Sequence, residues 1–242
     1  MTKGRRMLIS WIDQRFYPQQ VEYWDDDLFR QAVLKHLQSH MRALDLGAGA
    51  GILPQTNFRG LAREIVGVDL DPRVLDNPHL DAAVVSDGKR LPFPDTSFDL
   101  VFADNVLEHL ERPAEVFAEI RRVLKPGGVF VAKTPNKWHY MPTIARLTPH
   151  WFHEWFNSLR GRPSVDTFPT RYRANSVGDL RRHAATAGLD VIHIDRIEGR
   201  PEYLRFTGLT YLLGTLFERV VNSTSALAWL RILLVVELRK RT

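Results

Sequence analysis

A doubly wound α/β fold around a mostly parallel seven-stranded sheet is predicted by three features of this 242-residue sequence. Seven short apolar runs alternate with helical patterns from residue 42 onward, as parallel strands covered on both faces do. A glycine-rich turn, "GAGAG", follows the first run directly, and acidic residues (Asp45, Asp69 and Asp87) close three successive runs. Such a pattern places the loops and carboxylates on one rim of the sheet, where open α/β folds bind ligands.

The elements follow in order. Residues 1–40 read as a helical lead-in, where "DDDLFRQAVLKHLQSH" spaces Leu28, Ala32, Leu34 and Leu37 behind an acidic start. Residues 41–242 then form one domain. Its strand-like runs are "RALDLG" (42–47), "EIVGVDL" (64–70), "AAVVSD" (82–87), "FDLVFA" (98–103), "VFVAKT" (129–134), "LDVIHID" (189–195) and "LRILLVVEL" (230–238). The clearest helix is "PAEVFAEIRRVL". Pro113 suits a first helical position, and Val116, Phe117, Ile120, Val123 and Leu124 make one apolar stripe. "KPGG" ends it, with Pro126 and Gly127 suited to the centre of a type II turn. Residues 135–175 are aromatic, histidine-rich and proline-punctuated, and read as a cap inserted after the fifth strand. Residues 200–228 are apolar and helical and precede the last strand.

Composition sets bounds. The chain is 44% hydrophobic and 25% charged, with no cysteine, so disulfides, thiolate metal sites and a cysteine nucleophile are excluded. The net charge of +5 is mild, and its small basic clusters read first as solvated faces. No long apolar segment follows the basic N-terminus, and no run reaches membrane-span length, so a cytoplasmic protein is expected.

The glycine turn has the spacing G-x-G-x-G at Gly47, Gly49 and Gly51, with Ile52 next. A dinucleotide fingerprint needs G-x-G-x-x-G, and a P-loop needs G-K-[ST]; neither is present. Asp69 is placed to accept from both hydroxyls of a ribose, and Asp87, followed by Gly88, from an exocyclic amine. Singly, each carboxylate reads as a helix cap or turn residue; jointly they point to a nucleoside-bearing ligand.

"LDLGAGAG", "VGVDLDP", "SDGKRLPFPDTSFDLVFADNVLEHL" and "RRVLKPGG" resemble the successive motifs of class I S-adenosylmethionine-dependent methyltransferases of the type 11 group, over about residues 40–135. The resemblance implies a Rossmann-like methyltransferase fold and S-adenosylmethionine as cofactor. It implies that Gly47, Ala48, Gly49 and Gly51 admit the methionine and ribose portions, that Asp45 supports the loop and the amino group, and that Asp69 takes the ribose hydroxyls, with Leu70 beside it. Asp87 and the Gly88 amide bracket the adenine, and Ala103, Asp104 and Asn105 line the methionine end. One departure is the proline-bearing stretch after Gly51, where a first helix is usual.

Methyl transfer needs alignment and exclusion of water, and a hydroxyl acceptor also needs a base. His109, in "VLEHL", is the candidate; the bland reading is a structural histidine anchoring the loop. A metal-binding E-x-x-E-H is broken here by Asn105, with Glu108 and His109 retained, and no metal is expected. The cap offers His139 and Tyr140 in "TPNKWHY", and Tyr172 and Arg173 in "DTFPTRYRAN", as substrate contacts. His150, His153 and Glu154 have ligand spacing, but the interleaved aromatic residues favour an amphipathic cap helix. The apolar stretch 202–222 is expected to cover the core; the alternative is peripheral contact with a membrane or a lipid tail.

The expected function is therefore methyl transfer to an oxygen of a small-molecule, glycan or lipid-linked acceptor. The alternatives are a nicotinamide-dependent oxidoreductase, which the glycine spacing disfavours, and a non-catalytic binder of the same cofactor. A nucleic-acid substrate is not expected, since an N-P-P-Y-like motif is absent after the fourth run and the charge is modest.

Overall fold

The computed structural model describes residues 3–18, 24–147 and 169–242. The cap candidates His150, His153 and Glu154, and the 166–168 part of the second cap passage, lie outside these residues. The strands are β1 (Arg42–Leu46), β2 (Glu64–Asp69), β3 (Ala82–Val85), β4 (Phe98–Asp104), β5 (Leu124–Pro135), β6 (Leu189–Ile197) and β7 (Leu233–Lys240). The helices are α1 (Lys3–Phe16), α2 (Trp24–Leu34), α3 (Pro113–Val123), α4 (Tyr140–Leu147), α5 (Val177–Ala187) and α6 (Gly208–Asn222). All seven strand-like runs are strands of one sheet, in the order β3-β2-β1-β4-β5-β7-β6. The pairs β1–β2, β1–β4, β2–β3 and β4–β5 are parallel. Strand order reverses at β1, so the loop after β1 opens at the switch point, where the flanking connections diverge.

The chain divides into two units. One comprises Asp25–Pro135, Thr170–Asp195 and Leu234–Thr242, the other Met1–Trp24, Asn136–Pro169 and Arg196–Leu233.

In the first, the sheet unit, strand residues such as Leu44, Val66, Val101, Phe130 and Val236 are buried against Val116, Phe117, Ile120 and Val123 of α3 and Leu180 and Ala184 of α5. Burying the four α3 side chains contributes roughly 6–12 kcal/mol before conformational entropy is subtracted. α3 begins at Pro113 and ends where Leu124 turns extended; the turn expected at Pro126 and Gly127 is instead an irregular stretch of β5, where Gly127 takes φ +77° beside the register shift between the Phe98–Leu124 and Leu100–Val129 pairs. β5 thus starts five residues earlier than its apolar pattern. α5 is held at both ends: Ser176 Oγ accepts from the Asp179 N–H at 3.1 Å, and Gly188 closes the helix in the left-handed region at φ +72°. A second group of rings, with Phe58 and Phe102 edge-to-face at 5.0 Å and Phe29 beside Phe102, packs α2 and the 58–61 turn on the strands.

In the second, the helical unit, α1 packs on α6, with Ile9, Ile12, Tyr17 and Tyr211 buried together. The sequence expectation that the 202–222 leucines cover the core is corrected here. The inward face of α6 carries Gly208, Tyr211, Gly214, Thr215, Glu218 and Val221, while Leu209, Leu212, Leu213, Leu216 and Val220 are exposed. Glu218 tolerates burial because Tyr17 Oη donates to it at 3.2 Å and Asn222 Nδ2 at 2.7 Å. No helix among the described residues is long and apolar enough to cross a membrane.

Candidate active site

The loop after β1 is bare backbone. Gly47, Gly49 and Gly51 all have positive φ (+81°, +54° and +68°), a region that costs a residue with a Cβ about 1–2 kcal/mol each. Space adds a second constraint at two of them. A Cβ on Gly47 would come within 2.3 Å of Val106 Cγ2, and one on Gly51 within 2.1 Å of Asn77 Oδ1. A Cβ on Gly49 would meet nothing within 4 Å, so that side of its backbone is open to a ligand.

Three anchors fix this loop. The Val68 carbonyl accepts from Gly47 and Ala48 N–H at 2.7 and 3.2 Å. Asp69, at the end of β2, accepts from Gly49 N–H at 2.9 Å with Oδ2 and from Asp71 N–H at 2.8 Å with Oδ1, leaving each oxygen a further acceptor site. Asn77 Nδ2 donates to the carbonyls of Ala48 and Gly49 at 3.0 and 3.2 Å. Sequence reasoning missed Asn77, whose "DNP" context marks only a turn. The departure after Gly51 is real: residues 54–56 make a single 3-10 turn where a helix is usual.

Beneath the loop lies a charged cluster. Asp45 in β1 is buried, and no group among the described residues hydrogen-bonds to its carboxyl. Burial first, then the charges of Asp104 and Asp69, raise its pKa well above the carboxylate range. Asp104, ending β4, is pushed up to about 7, mainly by burial, against the pull of Lys133. Lys133, fully buried in β5, stands 3.0 Å from Asp104 Oδ1 and 3.2 Å from Asp25 Oδ2, and is also paired with Asp26. Burial alone would lower the Lys133 pKa, and the three carboxylates outweigh it. Asp25, Asp26 and Asp104 therefore share one ammonium, and with Asp45 close to Asp104 the carboxyl groups outnumber the cation. A ligand carrying positive charge fits this donor set; an anionic one does not. In the sequence, the "DDD" of α2 read only as an acidic helix start, and the sole hint of Lys133 was one charge inside an apolar run.

The other predicted contacts are spread along the same strand ends. Leu70, beside Asp69, is 66% exposed. Asp87 accepts from Lys89 N–H at 3.0 Å and pairs with Lys89 Nζ at 2.9 Å, next to Gly88. Asn105 adopts φ +52° and donates its N–H to the Lys133 carbonyl at 3.0 Å.

His109 ends a 3-10 turn, Leu107–His109, and is half-buried. The turn is held through Glu108, which sequence reasoning also passed over. Its Oε2 accepts from Thr134 Oγ1 at 3.0 Å, and Thr134 Oγ1 accepts from Asn175 Nδ2 at 2.7 Å. Burial pushes the Glu108 carboxyl up to about 7. The Glu108 carbonyl accepts from the N–H groups of Arg171 and Tyr172 at 2.6 and 3.1 Å, which brings Tyr172 beside the His109 turn. Arg173 donates to the Glu111 carbonyl at 2.8 Å.

His139 and Tyr140 belong to the helical unit. His139 is 1% exposed; Nδ1 accepts from Met141 N–H at 3.2 Å, and Nε2 lies 3.5 Å from Glu198 Oε2. Its ring centre is 4.0 Å from that of Tyr140 and 5.5 Å from that of Phe217. Where they stand, both side chains pack inside that unit. Among the described residues, no group of three or more His, Asp or Glu side chains is placed to hold a metal ion.

Residues 44–132 match the family model described as a methyltransferase domain. A protein of Mycolicibacterium smegmatis named "Probable S-adenosylmethionine-dependent methyltransferase" is 34% identical over 123 residues, covering 48% of this chain and 46% of the relative. A sterol 24-C-methyltransferase of Yarrowia lipolytica is 34% identical over 127 residues, 45% of this chain and 33% of the relative. A ubiquinone biosynthesis O-methyltransferase of Cereibacter sphaeroides is 30% identical over 125 residues, 48% of this chain and 49% of the relative. The matches thus span between a third and a half of these relatives' lengths. Among solved structures, an S-adenosylmethionine-dependent methyltransferase from Mesorhizobium loti superposes with a TM-score of 0.55 at 19% identity, over 90% of this chain and 97% of that one, and shares its fold.

Proposed function

We propose that this chain, residues 44–132 of which match the methyltransferase-domain family model, is a class I S-adenosylmethionine-dependent methyltransferase that transfers a methyl group to an oxygen of a small-molecule, glycan or lipid-linked acceptor. Bound at the glycine loop, S-adenosylmethionine supplies an electrophilic methyl carbon and, as a sulfonium that also carries an ammonium, positive charge.

The observation that carries this reading is the open backbone at Gly49 above a carboxylate cluster with too few cations. The residues fit the cofactor. The glycine loop admits it without side chains in the way, and the remaining acceptor sites of Asp69 receive the ribose hydroxyls. Leu70 offers an apolar surface to the adenine, whose edge meets Asp87 and the Gly88 amide. Asp45 and Asp104 face the positive charges, and Asn105 lines the same end. Pre-organisation is the main contribution of the chain, because in-line transfer rewards a reacting pair held roughly 3 Å apart in a site without water.

His109 is the base in this scheme: a ring nitrogen accepts the hydroxyl proton as the acceptor oxygen becomes nucleophilic. Tyr172 and Arg173, tied to the same turn, are the acceptor contacts of the sheet unit. The relatives' names include methylation at carbon and at oxygen; a histidine at this turn favours oxygen.

The test is calorimetric titration of wild type and Asp69→Ala with S-adenosylmethionine, S-adenosylhomocysteine and NADH. The expected result is micromolar binding of both adenosyl ligands, weakened on the order of 30-fold or more in the variant, since two charge-assisted bonds are lost. Absence of adenosyl binding, or binding of NADH alone, overturns the reading.

A further inference from the structure

α6 is amphipathic the wrong way round for a helix of a water-soluble unit. Plotted at 3.6 residues per turn, Leu209, Leu212, Leu213, Leu216 and Val220 fall within a stripe roughly 100° wide, and all five are exposed, between 46% and 68%. The opposite face is the buried one, and it carries Thr215 and the hydrogen-bonded Glu218. Scattered exposed leucines need no explanation, but a continuous stripe marks an interaction surface.

The stripe continues onto α1 within the same unit. Leu8 packs over the first turn of α6, where a Cβ on Gly208 would come within 2.3 Å of Leu8 Cδ2. From that contact the exposed residues Met7, Leu8 and Trp11 extend the apolar surface, and Trp11 is 53% exposed. α1 also brings charge: its sequence holds Lys3, Arg5, Arg6 and Arg15 against one acidic residue, Asp13, so the segment is net positive. Asp13 is taken up internally, accepting from Arg205 Nη2 at 2.6 Å and from Tyr211 Oη at 2.6 Å.

We infer that α6 and α1 dock this protein on the surface of an anionic lipid bilayer, with the leucine stripe and Trp11 in the interface and the α1 cations on the lipid headgroups. Aliphatic side chains, a half-exposed indole and an excess of basic residues are the combination that binds such a surface. A second copy of this chain is the poorer occupant, because a self-complementary contact on this face sets cations of one α1 against those of the other. No helix among the described residues is long and apolar enough to cross the bilayer. This inference does not depend on the proposed reaction.

The test is vesicle flotation of the full chain without cofactor. Vesicles of phosphatidylcholine containing about a third phosphatidylglycerol are compared with pure phosphatidylcholine, for wild type and the double variant Leu212→Glu, Leu216→Glu. Both substituted positions are exposed, and circular dichroism with thermal melting confirms that the variant folds. Wild type is expected to float with the anionic vesicles. Its partition should fall on the order of tenfold or more in the variant, and severalfold on neutral vesicles or at about 0.5 M salt. Failure of wild type to float with anionic vesicles, or equal flotation of a folded variant, overturns the inference. A wild-type dimer that ignores vesicles and is split by the same substitutions assigns the face to a second copy, and overturns it too.

Discussion

Lys133→Met is the substitution that tests the charged cluster most directly. Methionine keeps the length and apolar stem of lysine, so packing against Phe29, whose ring centre lies 5.8 Å from the ammonium, changes little. What disappears is the ammonium shared by Asp25, Asp26 and Asp104. Removing one partner of a buried ion pair costs about 3–5 kcal/mol, because the other partner stays buried and unpaired. For a chain of this size that corresponds to a fall in Tm on the order of 10 °C. The loss should depend on pH. In the wild type Asp104 titrates at about 7 when folded, against about 3.9 when unfolded. Between those values the native state binds more protons, so this group's contribution to stability falls as pH rises from about 4 to about 7. Without the ammonium, Asp104 and Asp26 hold their protons to still higher pH. At about pH 5.5 Asp104 is then neutral in the folded variant and the unpaired-charge penalty shrinks; at about pH 8 it is larger. Urea unfolding of wild type and variant at these two pH values, compared at matched m-values, measures the difference. An equal deficit at both pH values, or one below about 1 kcal/mol at the higher pH, would refute the electrostatic account.

Two substitutions in the glycine loop should separate strain from access. Gly51→Ala meets both positive φ and the Asn77 side chain. It should therefore lower stability by about 2 kcal/mol or more, read by thermal or urea unfolding. Gly49→Ala meets positive φ alone, in open space. It should lower stability by only about 1 kcal/mol while weakening S-adenosylhomocysteine binding strongly; a larger stability loss at Gly49 than at Gly51 would contradict the geometry. The affinity for S-adenosylmethionine should rise as pH increases through about 7, because Asp104 and Asp45 meet a cationic ligand better when ionised. Titrations at about pH 6 and pH 8 read this, and a flat profile would detach the cluster from binding.

Much of the sheet unit is legible in the order of residues, because its determinants are local. Each of the seven apolar runs is a strand, and α3 follows its own stripe from Pro113 to Val123. The glycines at 47, 49 and 51 stand where the backbone takes positive φ, and Asp69 is the residue that braces them. These assignments rest on periodicity, on the steric freedom of glycine and on strand-end placement, all of which act over a few residues.

The rest was decided by contacts between distant parts of the chain. Lys133 lies more than a hundred residues from Asp25 and Asp26, and nothing local shows that one ammonium serves carboxylates from α2 and β4. Asn77 clamps the glycine loop from nearly thirty residues away, and Asn175 supports Thr134, and through it Glu108, from some forty. The histidine in "TPNKWHY" reads as a substrate contact in sequence, yet it is packed against Tyr140 and Phe217 beside Glu198. α6 makes the same point through packing. Its leucines read as core, but Tyr17 and Asn222 satisfy Glu218 inside and leave the stripe to solvent. The sequence by itself determined the strands, their order of appearance and the bare loop between β1 and β2. Only the tertiary structure decided which charges share a site and which face of a helix is free, since burial and electrostatic coupling depend on distance in space rather than along the chain.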